Sequence, residues 1–346
     1  MRSTTRPSLS SKESAQALTT AGVTARRRGD YADAERLLRA AIARAEGEPV
    51  RDPLALVRAL NGLAVVFKYT GRFDDADALY RRALAILERS GGAESSDAAS
   101  IHHNLGGLAH ARGDYAAAED PARRSVAIRE RAVGPGHVDT AADRAALAAI
   151  LDGLGRVREA ERLLREALAT FERALGPGDY EVAVTLGNLG AILQRRGDLH
   201  EAEAIHRRGL AIREHLQGAQ HPELAVPVSN LATTLLAAGR PSEAEPLARR
   251  ALALAEAALE PDHPNLETLR TNLTAAETAA RAQAASEEMP ADLAWSGPGW
   301  RRAHPPPRCC RPCVPCANRS RSGFPGRRLR GAGSRRLERR LGLPVR

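Results

Sequence analysis

Six glycines stand 42 residues apart: Gly29, Gly71, Gly113, Gly155, Gly197 and Gly239, with no insertion or deletion over the 210 residues they span. Related phrases follow them, and the likest follow alternate glycines: GDYADAERLL from Gly29, GDYAAAEDPA from Gly113 and GDLHEAEAIH from Gly197. A strict period of this length implies one supersecondary unit used repeatedly, each copy burying its apolar face against its neighbours. That excludes a conventional domain with a single central core.

Other positions repeat in register. Five residues after each glycine stands an alanine: Ala34, Ala76, Ala118, Ala160, Ala202 and Ala244. Seven before it are Gly22, Ala64, Gly106, Ala148, Gly190 and Ala232, and twelve after it the residue is again small. Thirteen after it are the larger apolar Ile42, Leu84, Val126, Leu168, Leu210 and Leu252. Small residues at fixed points let helices approach closely, and larger apolar neighbours fill the space between. The glycine breaks the chain between two helices. The unit is therefore a first helix, a tight turn, a second helix and a loop. Composition agrees, being rich in Ala and Leu with only 3% aromatic residues. Acids six after the glycine and arginines ten after it, as in Glu161 and Arg165, form favourable i,i+4 pairs on the second helix. They read as a solvated face.

The motifs HHNLGGLA at 102–109, SNLATTL at 229–235, AEPLARRALAL at 244–254 and the loops GPGHVDTA at 134–141 and GAQHPELA at 218–225 resemble the tetratricopeptide repeat. The 42-residue period resembles its kinesin light chain type. The resemblance covers about residues 14–282. It implies an all-α, right-handed superhelical solenoid of helix-turn-helix repeats. Six repeats are expected, plus a capping helix from a truncated seventh unit in which Arg281 takes the glycine's place. Residues 1–13 are expected to be a disordered arm, and 283–346 a disordered tail. Three departures are local. The first repeat lacks the Leu-Asn start, Ala146 stands where other repeats have Asn, and Pro121 lies one place late.

Charge divides the chain in the same way. Residues 291–346 hold fourteen arginines against two acids, a net of +12, which leaves the remainder at −3 of the chain's total of +9. The basic balance thus belongs to the tail, rich in Pro, Gly and Arg. Nucleic acid or an anionic surface is expected as a partner only through that tail. No apolar run is long enough to span a bilayer, and the N-terminus has no secretory apolar core. A cytoplasmic location without membrane attachment is the simplest expectation.

No catalytic constellation is visible: no phosphate-cradling glycine loop, nucleophile elbow or metalloprotease pair. The in-register His137, His221 and His263 are too far apart, one repeat from the next, to share a metal, and are expected to fix the turn into the following helix. Cys309, Cys310, Cys313 and Cys316 are the one metal candidate. Their spacing matches part of a ferredoxin run, but Ser320 takes the fourth position. No cofactor and no enzyme activity are expected.

The better site is the groove. The family resemblance places the first helices along the inner wall and sets groove asparagines against bound peptide. Here Asn104, Asn188, Asn230 and Asn272 recur nine residues before the repeat position. An Asn amide both donates and accepts, so it can hold a peptide main chain without reading its sequence. Asn61, Lys68, His103, His110, Gln194, Arg195 and Ser229 are the neighbouring candidates, with Lys68 and Arg195 leaning toward acidic ligands. The rival reading is that each Asn ties its helix to the next. The expected function is a non-catalytic protein- or peptide-binding scaffold or adaptor. The alternative is a regulatory or sensor partner of a separate signalling NTPase. The sequence sets no oligomeric state.

Overall fold

A computed structural model describes residues 14–47, 52–261 and 263–287. The N-terminal arm, the basic tail and its four cysteines lie outside the described residues. Thirteen α-helices are present among those described, with no strand. They pair as the repeat requires: α1 (Ala15–Arg27) with α2 (Tyr31–Gly47), α3 (Pro53–Tyr69) with α4 (Phe73–Arg89), and α5 (Ser96–Ala111) with α6 (Tyr115–Val133). Then come α7 (Val138–Gly153) with α8 (Val157–Leu175), α9 (Tyr180–Arg196) with α10 (Leu199–Gln217), and α11 (Ala225–Ala237) with α12 (Pro241–Glu256). A 3-10 turn at Pro222–Leu224 leads into α11. The unpaired α13 (Pro264–Glu287) packs on α12 and α11 and runs five residues past the sequence boundary at 282.

Each turn is closed by its glycine. At Gly155, with φ +76°, the glycine N–H donates to the Asp152 carbonyl at 2.9 Å and the Arg156 N–H to the Leu151 carbonyl at 2.8 Å. That is the αL helix stop, which a side chain resists sterically. The same pair of bonds recurs at the other five repeat glycines. The loop histidines also behave as expected. Nδ1 of His137, His221 and His263 accepts from the backbone N–H two residues on, starting the next helical segment. Asp179 occupies the same register and caps α9 in the same way.

Small residues set the packing. All six alanines five after the glycine are 0% exposed. The position seven before the glycine meets the position nine after it, with sizes matched. A Cβ on Gly22 would lie 2.6 Å from Leu38 Cγ, and one on Gly190 would lie 2.5 Å from His206 Cε1. In the larger-residue row thirteen after the glycine only Leu210 is buried; the other five are half-buried and flank the core.

First helices pack side by side, α1 on α3, α3 on α5 and onward to α13, whereas no two second helices among the described residues pack backbone to backbone. The first helices are therefore the tight inner layer and the second helices the splayed outer one. Long side chains bridge the outer gap. All six i,i+4 acid–arginine pairs form, at 2.6–3.0 Å. The same arginines also reach the next unit, Arg123 to Glu159 at 2.7 Å and Arg165 to Glu201 at 2.8 Å. The face read as merely solvated thus also links repeats, each exposed pair contributing at most about 1 kcal/mol.

The alternating phrases have a related cause. The residue after the repeat glycine is alternately Asp and Arg. Where it is Arg, that arginine bonds the preceding unit, as Arg72 bonds Glu35 and Arg240 bonds Glu203. Where it is Asp in a later unit, the arginine just before the glycine does so instead, as Arg112 bonds Asp74 and Arg196 bonds Glu161.

Candidate functional site

The inner wall is the row of first helices, and most polar residues singled out from the sequence stand on it. Several tie one first helix to the next. Asn104 Nδ2 donates to Asn61 Oδ1 at 2.8 Å, joining α5 to α3. His103 Nδ1 lies 2.8 Å from Asp143 Oδ1, joining α5 to α7. Arg195 on α9 pairs with Asp152 on α7. Thr234 on α11 donates to Gln194 Oε1 at 3.0 Å, and Asn272 Nδ2 on α13 donates to Ser229 Oγ at 3.1 Å. At least one side-chain link therefore stitches each junction from α3 to α13, and Arg58 with Asp97 adds a second between α3 and α5.

The asparagine row divides on this basis. Asn104 and Asn272 each use an amide N–H on the preceding unit, leaving the rest of the amide free. The side chains of Asn188, which is exposed, and Asn230, which is half-buried, have no hydrogen-bond partner among the described residues. Asn230 contributes only its backbone carbonyl, accepting from Thr233 and Thr234. An unengaged amide on an inner wall is available to a ligand at no cost in internal bonds.

Lys68, His103 and His110 line a cleft of about 180 Å³ between α3, α5 and α7, together with Gly107, Ser125, Asp143 and Ala146. Lys68 has no acidic partner among the described residues. Burial, and then the charge of Arg26, push its ammonium below the ordinary lysine range. Burial, and then Lys68, push His110 down as well. The His110 ring meets Tyr115 edge-on, 5.2 Å between centroids.

Sequence reasoning missed the support beneath this cleft. Asp143 is 3% exposed and accepts from Arg129 Nε at 3.1 Å; Arg129 also bonds the Ser96 carbonyl and Ser100 Oγ. Burial acts to raise the Asp143 carboxyl, but the hydrogen bond and charge of His103, with Ser125 and Arg129, hold it below the usual carboxylate range. A signal was present: Asp143 and Arg129 each interrupt a largely apolar or small row, at facing places in neighbouring units. No cluster of His, Cys, Asp or Glu able to hold a metal occurs among the described residues.

A superposed series of helix pairs, small-residue rows and glycine stops defines a helical repeat scaffold. The tetratricopeptide repeat family model matches residues 13–89, 55–131, 97–173 and 181–257, and the chain belongs to that family. Among solved structures, the nearly identical TPR-like repeats of a putative kinesin light chain from Podosopora anserina are similar at 23% identity, covering 59% of this chain and 97% of that one, with a TM-score of 0.52. A signal transduction ATPase with a tetratricopeptide repeat sensor from Pyrococcus horikoshii matches 80% of this chain and 42% of its own length at 15% identity and a TM-score of 0.59. A Rap protein complexed with competence and sporulation factor matches 80% of this chain and 78% of its own at 13% identity and a TM-score of 0.54. At these identities the likeness concerns the fold. No curated protein matches the chain in sequence. No described helix is long and apolar enough to cross a membrane.

Proposed function

We propose that the protein is a non-catalytic scaffold that holds an extended segment of a partner protein along the inner wall of its first helices. The observation that carries this reading is the pair of unengaged amides, Asn188 on α9 and Asn230 on α11, at the same register of consecutive units. A strand rises about 3.3 Å per residue and helices pack about 10 Å apart, so roughly three peptide residues bridge the two amides. Main-chain bonding of this kind gives affinity, and side pockets give selectivity. The related reading, a sensor arm for a separate signalling NTPase, uses the same groove and differs only in the partner. It draws its support from the likeness to the sensor-bearing ATPase alone.

Replacing Asn188 and Asn230 together by Ala is expected to weaken partner binding by about 1–3 kcal/mol, with little change in melting temperature. Neither amide bonds anything within the described protein, so stability has little to lose. Calorimetric titration of a captured partner peptide, paired with thermal melts, checks this. Unchanged affinity would remove both asparagines from the site. A markedly lower melting temperature would make them structural.

A further inference from the structure

At one position of the first helices, three residues before each repeat glycine, the units carry Arg26, Lys68, His110, Asp152, Gln194 and Leu236 in order. The last three are apolar or already satisfied, Asp152 by Arg195 and Gln194 by Thr234. The first three are basic, half-buried, and bonded to no acid among the described residues. Arg26 Nε is buried without a hydrogen-bond partner. Its guanidinium stands 6.0 Å from the Tyr69 ring, and Lys68 Nζ stands 5.8 Å from the same ring. Half-buried cations side by side without a counter-charge are costly.

The cleft is shaped around this charge. The residue six before the glycine is Val23, Val65, Ala149, Ala191 or Thr233 in the other units but Gly107 here. A Cβ on Gly107 would lie 3.1 Å from Lys68 Nζ, so the glycine leaves the ammonium its place. The acid on the cleft wall, Asp143, is taken by Arg129 and by His103 Nδ1. His103 Nε2 carries no hydrogen bond among the described residues. Lys68 on α3 and His110 on α5 therefore offer donors to one cleft, and His103 Nε2, whose ring gives its Nδ1 proton to Asp143, adds a third donor only when the ring is protonated.

We propose that this cleft seats a phosphoryl group, that of a phosphorylated side chain on the extended segment bound along the inner wall. The proposal rests on the groove reading above and names the chemistry of one end of its ligand. A planar carboxylate has two oxygens and one charge. A phosphoryl group has three acceptor oxygens and a charge of about −1.5 to −2 at neutral pH, which suits the three-proton Lys68 ammonium, the His110 N–H beside it and the uncompensated positive charge of Lys68 and Arg26. Its arrival relieves the repulsion between Lys68 and Arg26.

The full chain is titrated at constant ionic strength with inorganic phosphate, N-acetyl-phosphoserine amide and N-acetyl-glutamate amide, followed by the nuclear magnetic resonance signals of α3 and α5. Both phosphate probes are expected to bind saturably, and the glutamate probe about tenfold more weakly. Lys68→Met should weaken phosphoserine binding about tenfold, Lys68→Arg should largely keep it, and Gly107→Ala should weaken it with every charge in place. Melting temperatures confirm folding of each variant. Equal binding of the glutamate and phosphoserine probes, or indifference to both Lys68→Met and Gly107→Ala, overturns the proposal. The Asn188/Asn230 double variant should bind the phosphoserine probe normally. If it loses the partner peptide while Lys68→Met does not, the groove reading stands and the phosphoryl seat falls.

Discussion

Lowering the pH from about 6.5 to about 4 is expected to cost the fold roughly 3 kcal/mol through one residue, His206. Its ring is 2% exposed, packs on the bare backbone of Gly190, and has a buried Nε2 with no hydrogen-bond partner. Burial pushes its pKa down to about 4. In the unfolded chain it titrates near 6.5. The folded pKa is the lower one, so this contribution is complete above about 6.5 and is lost as the pH falls toward 4, at about 1.4 kcal/mol per unit. Leu38 and Leu164 occupy the same register in other units, so leucine suits the site. Urea unfolding between pH 7 and 4.5 should show a steep slope for the parent and a much shallower one for His206→Leu. A smaller slope should remain from His102 and His110, which burial also pushes down. Parallel curves would contradict the account.

The second large effect tests the size matching between helices of one unit. Gly190→Ala places a methyl against the fixed His206 ring and should destabilise by about 1–3 kcal/mol, although alanine favours a helix. In a His206→Ala background the sign should reverse. The pair then becomes Ala–Ala, the combination present in the sixth unit at Ala232 and Ala248, and the gain in helix propensity of up to about 1 kcal/mol remains. The coupling between the two sites should exceed about 1 kcal/mol, which a double-mutant cycle measures. Additive effects would mean that these rows do not meet.

Much of this was legible in the sequence because a strict period converts sequence spacing into spatial rows. The glycine turns, the buried alanine row and the loop histidines that cap helices all follow from it. What the period hides is which long side chains meet between units. It placed Asn104 and Asn272 on one face with Asn188 and Asn230. It carried no sign that the first two donate to Asn61 and Ser229 while the other pair is unengaged. The arginines on the second helices looked like local i,i+4 partners. That they also span to the next unit depends on how far the outer helices splay, which no spacing records. Asp143 and Arg129 were visible only as two breaks in separate rows, and their pairing needed the packing of α6 on α7.

The central claim is that the ligand lies along the first helices and not on the outer layer. Photo-cross-linking tests it most directly. A photoreactive residue is placed at Val184 or Ala191, both half-buried and sharing the Asn188 face of α9 by helical spacing. In parallel it is placed at Ala204 or Ala211, exposed on α10. The account predicts cross-links to the partner from the two α9 positions and none from the two on α10. Capture from the α10 positions, with α9 silent, would put the binding surface on the outer helices and contradict it.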